Sequence, residues 1–279
     1  MATLYVSDLD GTLLGNDSRV SAATADIIND LTARGAMVTV ATARTIATVV
    51  PLLEGIDMSV PAIVMTGTAT YDLRAGRYIE MARLRSDECV AVERECRAVG
   101  LTPFVYTHGD DYILKVYHDA PALNNYEDVF VAERSNLKLK HFYLNTPTPR
   151  EAEDRTILYF AIDRREAVEH AVARLRACTS LSVSCYTDNF NRDVGMLDVY
   201  APGVNKAAAI LRVKEQCGAD RVVVFGDNLN DLSMLAVADV AVAVDNALPE
   251  VKEAADIVIG RNSADSVARF IADDFSHYQ

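Results

Sequence analysis

The sequence predicts an α/β protein, a parallel sheet with helices on both faces, into which a smaller α+β domain is inserted. Two observations carry this prediction. Strand and helix signals alternate at both ends of the chain, and between them the texture changes to strands paired by hairpins. Continuous apolar strands separated by helices argue for a parallel sheet covered on both sides, whereas hairpins argue for antiparallel pairing. With 279 residues, 50% hydrophobic and 24% charged, the chain has the composition of an ordinary globular protein of one large or two modest domains.

The elements follow in order. Leu4, Tyr5 and Val6 open a buried strand. In "SAATADIINDLTARG", Ile27, Ile28 and Leu31 lie at helical spacing, with Ser21 as N-cap and Gly35 as C-terminal stop. "MVTVATAR" is a second strand, "TIATVVPLLEGI" a helix and "PAIVM" a third strand. After the inserted domain, Lys206 to Cys217 reads as a helix, "RVVVFG" as a strand, Leu229 to Val237 as a helix and "VAVAV" as a strand. Helix "LPEVKEAA", a short "DIVI" strand and a last helix close the chain.

The core is thus expected over 1–83 and 193–279, and the insertion over 84–192. Within the insertion, "SDECVAVERECRAVG" is a helix with Val90, Val92, Cys96 and Val99 apolar, and "FVYTHGDDYILKVYH" a hairpin turning near Gly109 and Asp110. Strand "TILYFAI", helix "REAVEHAVARLRAC" and strand "LSVSCYT" follow. "LNTPTPREAEDR" is its most linker-like stretch.

A net charge of −13 disfavours a protein whose task is to hold nucleic acid or an anionic membrane, while leaving room for a local cationic site. Five cysteines without a CxxC pattern fit reduced core thiols in the cytoplasm, and the seven-residue spacing of Cys89 and Cys96 places both on one helix face. The first strand begins almost at Met1, so no signal peptide is expected, and no apolar run approaches the roughly 20 residues of a membrane span.

Four clusters carry chemistry. Asp8 and Asp10, two apart at the end of an apolar strand, point the same way on an extended chain and are costly there unless a cation or a reaction uses them. A calcium loop is excluded, because glycine falls at the fourth position rather than the sixth and Arg19 occupies the twelfth. Thr42-Ala43-Arg44 ends the second strand, where ligands of open parallel sheets bind; Thr42 fits an anion donor or a simple cap. Lys206 opens a helix although the helix dipole disfavours a cation there, which suggests a task; a lone surface lysine is the alternative, and no Walker pattern is present. In "VVVFGDNLNDLSML", Asp227 and Asp231 repeat the anomaly of the first strand, and capping does not explain both plus Asn230. Gathered together, four aspartates would repel one another. An oxygen-only donor set with no histidine nearby suits Mg²⁺ better than zinc, and a cation with Lys206 and Thr42 would cradle a phosphoryl group.

"DLDGTLL", "ATAR", "GVNK" and "GDNLND" resemble, in order and spacing, the four motifs of the haloacid dehalogenase-like phosphatases. The insertion resembles the type II (IIB) cap of the Cof-type subgroup, and "MLDVYAPGVNKAAAI" and "AVAVDNAL" extend the likeness. The resemblance implies a Rossmann-like core and an aspartyl-phosphate mechanism. Asp8 is then the nucleophile, and Asp10 the acid and base that distinguishes rapid turnover from long-lived phosphoenzymes. Mg²⁺ is held by Asp8, the Asp10 carbonyl, Asp227 and Asp231. Phosphoryl oxygens are bound by Thr42, Lys206, Asn230 and backbone amides, those of Leu9 and Ala43 included.

Four departures from the family pattern stand out: Ala43 for glycine, Thr66 for asparagine in "MTGT", and Asp245 and Ser266 for glycines. The expected activity is Mg²⁺-dependent hydrolysis of a small phosphorylated metabolite, a sugar phosphate foremost, with flavin mononucleotide and pyridoxal phosphate open. A phosphosugar mutase and a phosphate-sensing binding protein are the competing readings. No nucleic-acid or membrane partner is expected, and the chain is expected to be a cytoplasmic monomer or weak homodimer. His108, Tyr112 and Lys115 are candidate substrate contacts in the insertion, although Tyr112, Leu114 and Val116 also fit one face of a strand. Hinges are expected near Arg83 and Asp193.

Overall fold

In the computed structural model, which describes residues 1–187 and 191–278, the chain divides into two compact units. One comprises Met1–Glu80 with Asn205–Gln279 and the other Met81–Val204. The chain opens with β1 (Thr3–Ser7), α1 (Ala22–Ala33), β2 (Met37–Val40), α2 (Ile46–Leu52), β3 (Ala62–Val64), β4 (Ala69–Asp72) and β5 (Arg77–Met81). Then come α3 (Ser86–Arg97), β6 (Phe104–His108), β7 (Leu114–His118), α4 (Asn125–Ala132), β8 (Lys140–Leu144), α5 (Arg150–Glu153), β9 (Thr156–Arg164), α6 (Arg165–Cys178), β10 (Ser182–Thr187) and β11 (Val194–Tyr200). The last part supplies α7 (Lys206–Cys217), β12 (Arg221–Gly226), α8 (Leu232–Leu235), β13 (Val240–Val244), α9 (Pro249–Ala254), β14 (Ile257–Ile259) and α10 (Ser266–Tyr278).

The first unit is built on a five-stranded sheet of order β14-β13-β12-β1-β2, parallel at every pairing. All five residues of β1 and all six of β12 are buried, the mark of strands covered on both faces. The helix boundaries follow from local chemistry. The Ser21 hydroxyl accepts from the Thr24 N–H at 3.0 Å to start α1, and Asn205 does the same for Ala208 at 2.8 Å to start α7. Helix α7 stops at Gly218, which takes the left-handed conformation open to glycine. A ribbon of β3, β4 and β5 adjoins, with Ala41 bridging to Ile63.

The second unit holds a six-stranded sheet of order β10-β11-β9-β6-β7-β8. It is antiparallel except where β7 runs parallel to β8. On one face Val92, Cys96, Val168 and Leu175 of α3 and α6 pack with Val105, Tyr159, Leu197 and Val199 of the strands. On the other, Phe130 of α4 stacks on Phe160 at 4.5 Å and approaches Phe104 at 5.5 Å. Cys89 and Cys96 are both buried in α3.

Several elements depart from the sequence reading. The 84–192 estimate stops short of β11, which pairs with β9 and β10 in the second unit's sheet. The stretch "LNTPTPREAEDR" is not a linker: it holds the end of β8 and all of α5. The helix expected over Leu229–Val237 is a 3₁₀ turn, Leu229–Asp231, followed by the single turn of α8. The cause is Asp231, whose side chain folds back onto the N–H groups of Asp227 and Asn228 at 3.0 and 3.1 Å. Val90 is 64% exposed rather than part of the core, and Tyr112 sits in the turn before β7 at φ 59° while Leu114 and Val116 are buried. No helix of the described residues is long and apolar enough to cross a membrane.

Candidate active site

Strand β1 lies between β12 and β2, and all three are parallel, so their carboxyl ends open side by side. Asp8 follows β1, Thr42 follows β2 by two residues and Asp227 follows β12. The topology therefore assembles at one sheet edge what the sequence scatters over more than two hundred positions.

Asp8 continues the β1 ladder, its N–H donating to the Phe225 carbonyl at 2.9 Å. The chain then turns widely, the Leu13 and Leu14 N–H groups donating to the Asp8 and Leu9 carbonyls at 3.3 and 2.9 Å. Gly11 sits at φ +77° within this turn, and a Cβ there would fall 2.4 Å from Asp227 Oδ2. Glycine is required twice over, by the backbone and by the neighbouring carboxylate. Thr12 donates its hydroxyl to Asp227 Oδ1 at 2.8 Å.

Lys206 is no surface lysine. It is fully buried, and its Nζ donates to Asp8 Oδ1 at 2.6 Å and to Asp231 Oδ1 at 2.8 Å. Burial alone would push this ammonium toward neutrality, but the Asp8 and Asp231 carboxylates outweigh it and hold the group above the usual lysine range. Burial pushes the Asp8 carboxyl up to about 7, with Lys206 pulling the other way and Asp231 adding repulsion. Burial also lifts Asp227 to about 6, opposed by the Thr12 hydroxyl and reinforced by Asp231.

Asp8, Asp227 and Asp231 each offer a carboxylate oxygen within 4.8 Å of the others. Three carboxylates against one ammonium leave a surplus of negative charge at a purely oxygen-lined point, the donor chemistry of a hard divalent cation. The residues present fit such an ion.

The remaining predicted residues are placed unevenly. Thr42 is buried and its Oγ1 accepts from the Arg44 N–H at 3.1 Å. Leu9 has a fully buried side chain, so any role at the site belongs to its backbone. Ala43 is exposed and its φ is not positive, which removes the need for the family's glycine. Asn230 is exposed on the 3₁₀ turn, and the cap there is made by Asn228. Asp10 does not join the three-carboxylate group: both its oxygens face Arg44, at 2.7 Å each. Asp245 is exposed and pairs with Lys252 at 3.4 Å.

Arg44 and Asn246 are the residues that sequence reasoning left without a role. Asn246 donates to the Gly11 carbonyl at 2.7 Å and accepts from the Asn262 N–H at 2.9 Å, bracing the turn after β1. The only available signal was their place beside quoted motifs, "ATAR" and "AVAVDNAL".

With this geometry in place, the likeness to known proteins becomes decisive. A family model described as haloacid dehalogenase-like hydrolase matches residues 5–271. The chain belongs to the haloacid dehalogenase-like hydrolases. Among relatives of this hydrolase, a Bacillus subtilis (strain 168) protein named 5-amino-6-(5-phospho-D-ribitylamino)uracil phosphatase YcsE is 28% identical, covering 96% of this chain and 94% of the relative. The Escherichia coli (strain K12) pyridoxal phosphate phosphatase YbhA is 25% identical over 97% and 96% of the two chains. Among solved structures, a HAD subclass IIB sugar phosphatase superposes with a TM-score of 0.72 at 20% identity, covering 99% of both chains. That last likeness shows that the fold, insertion included, is shared.

Proposed function

We propose that this haloacid dehalogenase-like hydrolase is a Mg²⁺-dependent phosphatase of a small phosphorylated metabolite of the sugar-phosphate class. The single observation that carries the reading is the buried Lys206 bridging Asp8 and Asp231 beside Asp227. Relatives named as phosphatases of phosphorylated small molecules support it.

Asp8 attacks phosphorus, the bond from phosphorus to the leaving oxygen breaks, and Asp10 gives its proton to that oxygen. Asp10 then takes a proton from water as the water oxygen attacks phosphorus. The bond to Asp8 breaks, releasing inorganic phosphate and restoring the Asp8 carboxylate. Lys206 and Thr42, with backbone N–H groups of the turn after β1, hold the phosphoryl oxygens where charge develops. Asp8, the Asp10 carbonyl, Asp227 and Asp231 would hold Mg²⁺, which when bound offsets the repulsion between an anionic nucleophile and an anionic ester.

The test is phosphate release from a panel of phosphorylated metabolites, with Mg²⁺ and with chelator, using Asp8→Asn as the blank. Metal-dependent release confined to the wild type is expected. Full activity in Asp8→Asn would refute the nucleophile. Phosphate migration without release would indicate a mutase, and metal-dependent binding without turnover a sensing protein.

A further inference from the structure

Asp10 is the one aspartate of the first motif that lies outside the buried cluster, with its side chain 51% exposed. Both of its oxygens are nevertheless taken by one partner: Arg44 Nε reaches Oδ2 and Arg44 Nη2 reaches Oδ1, each at 2.7 Å. Exposed ion pairs add little stability unless their geometry is ideal, as in a bidentate fork, so a modest contribution to the fold does not by itself account for a pair placed beside the site. What a planar guanidinium fork does supply is orientation, since two parallel bonds fix the carboxylate plane.

Arg44 is itself held in place by its backbone. Its N–H donates to Thr42 Oγ1 at 3.1 Å and its carbonyl accepts from the Met65 N–H at 3.0 Å. The next N–H, of Thr66, donates to the Thr42 carbonyl at 3.0 Å. Met65, Thr66 and Gly67 are three consecutive residues with positive φ, at 50°, 57° and 97°. For a β-branched threonine this is a strained conformation. It persists because the turn is wedged: a Cβ on Gly67 would lie 2.4 Å from the Asn205 carbonyl oxygen, at the N-cap of α7. Strain of this kind gathers where a site needs fixed geometry.

We propose that Arg44 is a positioning residue that fixes the plane of the Asp10 carboxyl group, with the Met65–Gly67 turn clamping the Arg44 backbone. The protonated carboxyl keeps one Arg44 bond, and its other oxygen, turned from Arg44, gives its proton to the leaving oxygen. The inference rests on the reading of Asp10 as the acid and base.

The experiment compares phenyl phosphate, whose leaving group needs a proton, with 4-nitrophenyl phosphate, whose leaving group departs as a stable anion. Release of each phenol is followed in single turnovers for the wild type, Arg44→Gln, Arg44→Lys and Asp10→Asn. For Arg44→Gln the rate with phenyl phosphate is expected to fall about 10- to 100-fold, within the range of general acid catalysis. The nitrophenyl ester should change less than about threefold, KM should hold for both, and Arg44→Lys should restore part of the loss. Equal losses with both esters and a raised KM would overturn the proposal in favour of a phosphoryl-binding arginine. No loss with either would overturn it as well. Asp10→Asn separates the two layers: if it fails to discriminate between the esters, the acid reading itself is at fault. A crystal structure of Arg44→Gln supplies a readout independent of turnover. The Asp10 carboxylate should lose its single orientation, and an unchanged carboxylate would sink the idea.

Discussion

The two units bury charge in opposite ways. In the first, Lys206 is fully buried but answered by two carboxylates within 2.8 Å. In the second, Lys140 is 3% exposed and meets aromatic faces, its Nζ 5.1 Å from the Tyr106 ring and 5.9 Å from Phe142. Burial, with the nearby Arg134 cation, pushes Lys140 down to about 7. Asp198, on β11, mirrors it. Burial lifts its carboxyl to about 7, although it accepts from the Tyr186 hydroxyl at 3.2 Å. The difference teaches what burial does with and without a partner. Set between two carboxylates, the Lys206 ammonium stays ionised, whereas Lys140, set against aromatic rings and the Arg134 cation, is pushed toward neutrality. Buried carboxyls in both units, Asp8 as well as Asp198, are lifted to about 7 by desolvation.

Substitutions can break this comparison. The largest effect is expected from Lys206→Met, which strands Asp8 and Asp231 in the interior. Loss of one partner of a buried pair costs about 3–5 kcal/mol, so denaturant unfolding in chelator should show a fall of that order, together with loss of turnover. Added Mg²⁺ should recover part of the stability, because a cation can replace the missing ammonium. A stability equal to wild type would mean that the carboxylates are not held as the pair requires.

Lys140→Met should act in the opposite direction. Replacing a buried ion pair by well-packed apolar groups is often neutral or stabilising by about 1–4 kcal/mol, and a buried ammonium without a carboxylate beside it is expected to follow the same sign. The sign follows from a folded pKa depressed below that of the unfolded chain: the unfolded state binds more protons, so stability rises with pH above about 7. The gain of Lys140→Met over wild type should therefore be greatest at and below pH 7 and shrink toward pH 10. Melting temperatures across that range check it.

Asp198→Asn tests the mirror case. A folded pKa raised to about 7 means that the folded state keeps its proton longer, and wild-type stability declines as pH rises from the unfolded carboxylate value toward 7. The asparagine variant should lack this decline and melt higher than wild type at pH 8. A pH profile parallel to wild type would show that Asp198 is ionised in the fold.

Gly11→Ala sharpens the comparison most locally. A methyl group 2.4 Å from Asp227 Oδ2 at φ +77° must displace the turn or the carboxylate, at a stability cost on the order of 1 kcal/mol. Weaker Mg²⁺ binding by calorimetry is expected to be the clearer signal, since the fold tolerates the shift better than the donor set does.

The sequence by itself determined the alternation of strands and helices, the boundaries of α7, β12 and β13, and the identity of the acids. These are local properties: periodicity, caps and carboxylates at the ends of apolar strands are written in neighbouring residues. It also located Thr42 and Lys206, but could not separate a buried, carboxylate-paired lysine from a surface one. Only the tertiary structure decided that, because the partners of Lys206 lie 198 and 25 residues away and meet it through the parallel order β12-β1-β2. The same holds for Arg44 and Asp10, 34 residues apart, and for the extension of the second unit through β11, where strand pairing rather than local texture sets the limit. Short-range order is legible because it depends on the residue types of one segment. Burial, pairing and the protonation that follows from them depend on what the rest of the chain brings alongside.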